Sequence, residues 1–235
     1  MKKSGSYNLN YDGGIIAIEM QYGFRKRLSL TVYPDRRVVA RVPYGFPRRK
    51  VEEYLQKKNK WIFKYLEHFE KHPPESEKKY VEGEEHSYLG KKYRLKFLSG
   101  TTQIKIDGDN LSVRVKNPDD IEYISSVLDR WYRKEAIRVL TPRFEKILKN
   151  LQYLDLPNTG LRFYKMKRRW GSCSAKHVIT LNTELIKKDK GLIDYVIVHE
   201  ICHLKVPAHN KAFYSLMESV LPDWKEQRKS LNESI

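Results

Sequence analysis

The 235-residue sequence has only two cysteines, Cys173 and Cys202. Two thiols in a chain of this length build no disulfide framework, which argues against a small secreted scaffold and fits a reducing compartment. Long apolar runs are missing too. The first residues, MKKSGSYNLNYDGG, include two lysines but no apolar leader core. No later stretch approaches the ~20 apolar residues of a membrane span. The expectation is a soluble, cytoplasmic protein with no membrane partner. Acid is also scarce: 29 Asp and Glu face 46 Lys and Arg, a net charge of +17. Such a field draws polyanions, so nucleic acid or nucleotides are candidate encounter partners through the basic surface. The 40% apolar content is that of a globular chain, long enough for one elaborated domain or two small ones.

The apolar pattern divides into a strand-rich half and a helical half. Residues 1 to 14 read as a loose tail or an edge strand. Ile15 to Ala17, Leu28 to Tyr33 and Val38 to Val42 read as strands, the last two joined by the turn Pro34-Asp35-Arg36. Leu28, Leu30 and Val32 alternate with Ser29, Thr31 and Tyr33, the period of a sheet with one buried face. One helix is predicted over 47–71, opened by Pro47 and closed by Pro73-Pro74, with a charged linker over 75–85. Strands follow near Tyr93 to Phe97, Thr102 to Ile106 and Leu111 to Val115. Beyond Asn117-Pro118-Asp119-Asp120 a long helical pattern runs to Leu151, with Pro142 expected to kink or divide it. Shorter strands at Arg162 to Met166 and Val178 to Leu181 and helices near Lys211 to Val220 and Asp223 to Leu231 complete the chain.

The chemistry is concentrated in YVIVHEICHLKVPAH, Tyr195 to His209. On a helix His199 and His203, four apart, share one face, where two neutral imidazoles can hold a zinc ion. Glu200 lies about 100° round the helix from His199, beside such an ion, placed to take a proton from water. An unbroken helix would carry His209 ~9 Å beyond His203. Pro207 disfavours helical geometry at Val206, so the chain is expected to turn and bring His209 back as third ligand; its alternative use is to cap the next helix. Three protein ligands leave a fourth position open, as in catalytic rather than structural zinc sites.

The segments RRWGSCS at Arg168 to Ser174, ITLNTELI at Ile179 to Ile186, IDYVIVHEICHL at Ile193 to Leu204 and the stretch from His209 to Glu233 resemble the YgjP-like family of zinc metallopeptidases. That family is similar in its core to the SprT-like and WLM groups. The resemblance implies a gluzincin-like core with His199, His203 and His209 as zinc ligands and Glu200 as general base. It also raises Arg169, Trp170 and Ser172 as substrate-binding residues. The metzincin spacing is met as well, but Val206 stands where that motif has glycine.

The expected fold class is thus α+β: a β-rich domain over 1–116 with the helix 47–71 inserted, then a zincin-like metallopeptidase domain over 117–235. KMKRRWGSC, Lys165 to Cys173, is the candidate strand edge for an extended peptide or protein substrate, although Trp170 could equally be core and the lysines a solvated face. Cys173 is either an extra ligand or a small buried thiol, Tyr214 and Tyr164 are candidate oxyanion donors, Asn182 is a candidate to hydrogen-bond the turn or a ligand, and Glu184 is a candidate helix N-terminal acid. Two other activities fit the same residues. One is a metal-dependent nucleotide pyrophosphatase or other phosphoanhydride hydrolase, for which the basic segment would hold phosphates. The other is a DNA-associated protease of the SprT-like kind.

Overall fold

The computed structural model describes residues 4–11, 14–71 and 78–233. The fold is mixed α+β, with three sheets and six α-helices among the described residues. The chain divides into two compact units, Met1–Ser76 with Glu233–Ile235, and Glu77–Asn232. The sequence pattern put a boundary at 116/117, because strands gave way to helices there. The division falls instead between Ser76 and Glu77, since the second group of strands shares its apolar face with the long helix that follows.

The first unit contains β1 (Ser4–Tyr11), β2 (Gly14–Gly23), β3 (Ser29–Val32) and β4 (Val38–Pro43) in the order β1-β2-β4-β3. Neighbours are antiparallel except for β2 and β4, which run parallel from Ile18↔Val38 to Gly23↔Pro43. Leu9, Ile18, Met20, Val38, Ala40 and Val42 are buried in one cluster with Val51, Leu55, Ile62 and Leu66. Those last four belong to two helices, α1 (Arg48–Lys57) and α2 (Asn59–Lys71), where a single helix was expected. The break is at Lys58, and the Asn59 side chain accepts from the Lys60 amide at 2.5 Å. A short polar side chain bonded to its own backbone competes with helix continuation.

The second unit opens with β5 (Glu85–Tyr88), β6 (Lys91–Ser99), β7 (Gln103–Asp107) and β8 (Asn110–Val115), in the order β5-β6-β8-β7 with β6 and β8 parallel. Of the charged stretch before it, the described part is tied to β6: the Phe97 amide donates to Glu82 at 2.8 Å and the Gly83 amide to the Leu95 carbonyl at 2.8 Å. Helix α3 (Ile121–Asn150) starts at Asp120, whose carboxylate accepts from the Tyr123 amide at 2.9 Å. It runs through Pro142 without ending. Pro142 is exposed, and the hydrogen bond a proline removes costs least on the side of a helix that water can reach. The front of α3 buries Ile124 and Leu128 against the sheet, while Tyr132, Ala136, Leu140 and Phe144 pack in the cluster containing Ile193, Ile197 and Ile201.

The remaining elements are β9 (Gly160–Tyr164), β10 (Gly171–Cys173), β11 (Val178–Asn182), α4 (Lys190–Lys205), α5 (Lys211–Val220) and α6 (Trp224–Glu233). The small sheet has the order β10-β11-β9, so β10 is an edge strand. Ten residues of α4 are buried, from Leu192 to Leu204, which identifies it as the central helix of the unit. It is fixed at its start by Asp189, which accepts from the Leu192 amide at 2.9 Å, and along its length by Arg143, which donates to both Asp194 oxygens at 2.9 and 2.6 Å. No described helix is long and apolar enough to cross a membrane.

Candidate active site

Helix α4 ends where the sequence demands it. Val206 is extended (φ −129°, ψ 96°), and Pro207 follows. The chain then turns, and Asn210 caps α5 by accepting from the Phe213 amide at 3.1 Å. His209, one residue before that cap, is thereby brought back over α4. Its Nε2 lies 3.0 Å from His199 Nε2 and 3.1 Å from His203 Nε2. Two ligand atoms sharing a tetrahedral ion at ~2.0–2.1 Å stand about 3.3 Å apart, so these three nitrogens are spaced as ligands to one cation would be. Among the described residues they form the one cluster of three or more His, Cys, Asp or Glu suited to an ion.

The protonation states agree with that use. His203 Nδ1 is 3.1 Å from the Val206 carbonyl oxygen, which can only accept, so Nδ1 carries the proton and Nε2 offers a lone pair. The helix break therefore supplies the carbonyl that orients the His203 ring. Burial pushes the His199 pKa down to about 3, with His203 and His209 adding to the effect, and lowers that of His203 as well. Neutral imidazole is the metal-binding form. Beneath all three rings lies Phe213, fully buried: it stacks on His203 at 4.5 Å and meets His199 and His209 edge-on at 5.0 and 4.8 Å. In the sequence Phe213 reads as one more apolar helix position.

Glu200 is 5% exposed and faces a cavity of about 650 Å³ that the three histidines also line. Burial pushes its pKa up to about 8, opposed by the positive charge of Arg169. Gly171 on β10 explains how the carboxylate fits. A Cβ there would sit 2.6 Å from Glu200 Cγ and Oε1, so glycine leaves the space that Glu200 occupies. The loop before Gly171 is held by Asn182, 2% exposed, which uses its full bonding capacity. Its amide nitrogen donates to the Met166 and Arg169 carbonyls at 2.8 and 2.9 Å, and its oxygen accepts from the Met166 and Glu184 amides, both at 3.1 Å. Asn182 is thus the clamp that sets Gly171 against Glu200.

Arg169, Trp170 and Ser172 line the same cavity, as does Cys173. One cavity thus brings together His199, Glu200, His203, His209, Arg169, Trp170 and Ser172. Cys173 is half-buried, outside the histidine cluster, with its thiol pKa raised by burial. Cys202 is buried behind the site, its pKa raised to about 12 by burial. Lys165 is not a free cation, being paired with Asp129 at 2.8 Å. Tyr164 is exposed and outside the cavity lining. Tyr214 lies 6.4 Å from His209 and stacks on Trp224 at 5.1 Å. Tyr195, one turn before His199, is buried against the cavity, a placement that helical spacing alone made no stronger than that of the other 15 tyrosines.

Two solved structures are similar over part of the chain. The metallopeptidase zymogen of Methanocaldococcus jannaschii jannalysin is 21% identical with a TM-score of 0.34, covering 39% of this chain and 95% of that one. The metallopeptidase zymogen of Pyrococcus abyssi abylysin is 22% identical with a TM-score of 0.37, covering 41% and 95%. No curated protein matches. The family model described as YgjP-like, metallopeptidase domain, spans residues 26–234, which takes in the site and every strand from β3 onward, and on that match the chain belongs to the YgjP-like metallopeptidase family.

Proposed function

We propose that this metallopeptidase is a zinc enzyme with a zincin-like core, in which His199, His203 and His209 hold the ion through Nε2 and Glu200 is the general base. The observation that carries the reading is the convergence of three imidazole nitrogens at 3.0 and 3.1 Å beside a buried carboxylate. Zinc, when bound, supplies Lewis acidity, polarising the scissile carbonyl and acidifying the attacking water. The chain's own residues do the rest. Glu200 accepts the water proton on its carboxylate and returns it to the leaving amine, so one group serves both halves of the reaction. Its surroundings favour holding a proton, and a bound cation would draw its pKa down as Arg169 does now. The free side of β10 offers main-chain hydrogen bonds to an extended peptide, with Arg169, Trp170 and Ser172 along it. The two free cysteines fit a cytoplasmic enzyme.

The test is metal content and peptide cleavage by the purified protein and two variants. Glu200→Gln is expected to keep stoichiometric zinc and lose cleavage by about a hundredfold or more. His203→Ala is expected to lose both. Full activity in Glu200→Gln would defeat the mechanism, and stoichiometric zinc in His203→Ala would defeat the ligand set. The same preparations, offered nucleoside triphosphates, address the phosphoanhydride reading: phosphate release dependent on Glu200, without peptide cleavage, would replace the present one.

A further inference from the structure

Strands β2 and β4 run parallel and finish level, at Gly23↔Pro43. The loops that leave them therefore emerge side by side, joined by the Tyr44 amide donating to the Gly23 carbonyl at 3.1 Å. Their sequences, Phe24-Arg25-Lys26-Arg27 and Tyr44-Gly45-Phe46-Pro47-Arg48-Arg49-Lys50, place three aromatic rings among six cations. The rings are outside the core: Phe24 is 101% exposed, Tyr44 41% and Phe46 36%, and Phe24 meets Tyr44 edge-on at 5.0 Å.

Folding does not account for this patch. The sheet β5–β8 has the same strand order, and its parallel pair ends level at Ser99↔Val115. There the loops read Gly100-Thr101-Thr102 and Lys116-Asn117-Pro118-Asp119-Asp120, and Asp120 caps the following helix. The equivalent helix in the first unit, α1, begins with Arg48, Arg49 and Lys50, no acidic residue in its first turn and no side-chain cap. Cations at a helix N-terminus oppose its dipole. Arg48 and Arg49 are partly neutralised by Glu52 and Glu53 at 2.9 and 3.0 Å; among the described residues Lys26, Arg27 and Lys50 make no ion pair.

We propose that this end of the first unit binds single-stranded nucleic acid, the rings stacking on unpaired bases and the guanidinium and ammonium groups pairing with phosphates. Each loop sets its aromatic residues just before a run of three cations, so the rings and the charges lie next to one another, as the bases and phosphates of one strand do. A membrane-inserting tip would need its apolar residues set beyond its cations, yet Phe24 is followed at once by Arg25 and Phe46 by Pro47 and Arg48. A duplex hides the base faces that the rings would cover. The inference is independent of the metal site.

The test uses the full chain and a fluorescent oligodeoxythymidylate of about 20 nucleotides, longer than the ~4–16 nucleotides a single-strand site covers, titrated by anisotropy over a range of salt. Binding is expected at low salt. Phe24→Ala/Tyr44→Ala/Phe46→Ala should weaken it about tenfold with the salt slope unchanged, because stacking releases no counterions. Lys26→Glu/Arg27→Glu/Lys50→Glu should weaken it more and flatten the slope by about 2, at ~0.7 for each phosphate no longer neutralised. A control of equal charge, Lys57→Glu/Lys60→Glu/Lys64→Glu on exposed positions of α1 and α2, should lose far less. All nine positions are exposed, and far-ultraviolet circular dichroism checks that each variant folds. The proposal is overturned if no binding occurs at low salt, if the control set weakens binding as much as the patch set, if the aromatic variant binds like wild type, or if the protein sediments with phosphatidylserine vesicles but ignores the oligonucleotide.

Discussion

The two four-stranded sheets share one topology, yet their surroundings differ. In β5–β8 the turn Leu89-Gly90 is built into the catalytic unit: the Leu89 amide donates to the Ile186 carbonyl at 2.8 Å, and Gly90 lies against Asp189, the cap of α4. Tyr88 donates to Glu135 at 2.6 Å and Tyr132 to the Ser87 carbonyl at 2.9 Å, tying the same strand to α3. In β1–β4 the sheet packs on its own helices, and the ends of β2 and β4 carry exposed aromatic and basic residues instead. One strand order has thus been used once to brace the helix bearing the histidines and once to display a charged surface. A fold does not dictate function; the residues at its ends do.

Four measurements would sharpen or break that contrast. The largest effect is expected at the strand facing Glu200: Gly171→Ala places a Cβ within 2.6 Å of its side chain, and kcat should fall roughly a hundredfold, no further than in Glu200→Gln, with zinc content unchanged. Wild-type turnover in that variant would mean Glu200 has room to move and does not act from this position. Next come two turn glycines, both with positive φ. Gly90 (φ +81°) meets Asp189 Cβ at 2.8 Å, so Gly90→Ala combines left-handed strain with a clash and should cost roughly 3 kcal/mol by urea denaturation. Gly45 (φ +75°) has open space, so Gly45→Ala should cost only about 1 kcal/mol. Equal losses would show that the β5–β6 turn is no more embedded than the loop after β4.

A smaller effect is expected from pH. His86 on β5 is buried, and desolvation lowers its pKa despite Glu84 at 3.3 Å. The unfolded chain then takes up this proton more readily than the folded one. Its contribution to stability is full above the unfolded value of about 6.5 and is lost as pH falls below it. Between about pH 7 and about pH 5.5 wild type should lose up to about 1 kcal/mol more than His86→Gln, and identical pH profiles would contradict the burial. Smallest of all is Phe24→Ala, which should change unfolding free energy by less than about 0.5 kcal/mol, because the ring buries nothing. A larger loss would make Phe24 a structural residue and weaken the contrast between the sheets.

Local chemistry in the sequence determined much of this protein. Two histidines four apart on an apolar helix, a glutamate beside them and a proline to break the helix before His209 all act within one or two turns, so periodicity and backbone sterics are enough to bring three imidazoles together. The alternation of β3 and the aspartate cap of α3 are legible for the same reason. The split at Lys58 and the passage through Pro142 were less so, since propensity there yields to a side-chain hydrogen bond and to which face meets water.

Tertiary structure alone decided the rest. The seat of Glu200 against Gly171, the clamp at Asn182 and the docking of Gly90 on Asp189 join residues 13 to 99 positions apart. Phe213 reaches the floor of the three imidazoles, and the loops at Phe24 and Tyr44 come together, by the same route. Such pairings depend on strand order and on which strands run parallel. Chain topology and the shared burial of apolar faces select those, and no local period in the sequence encodes them.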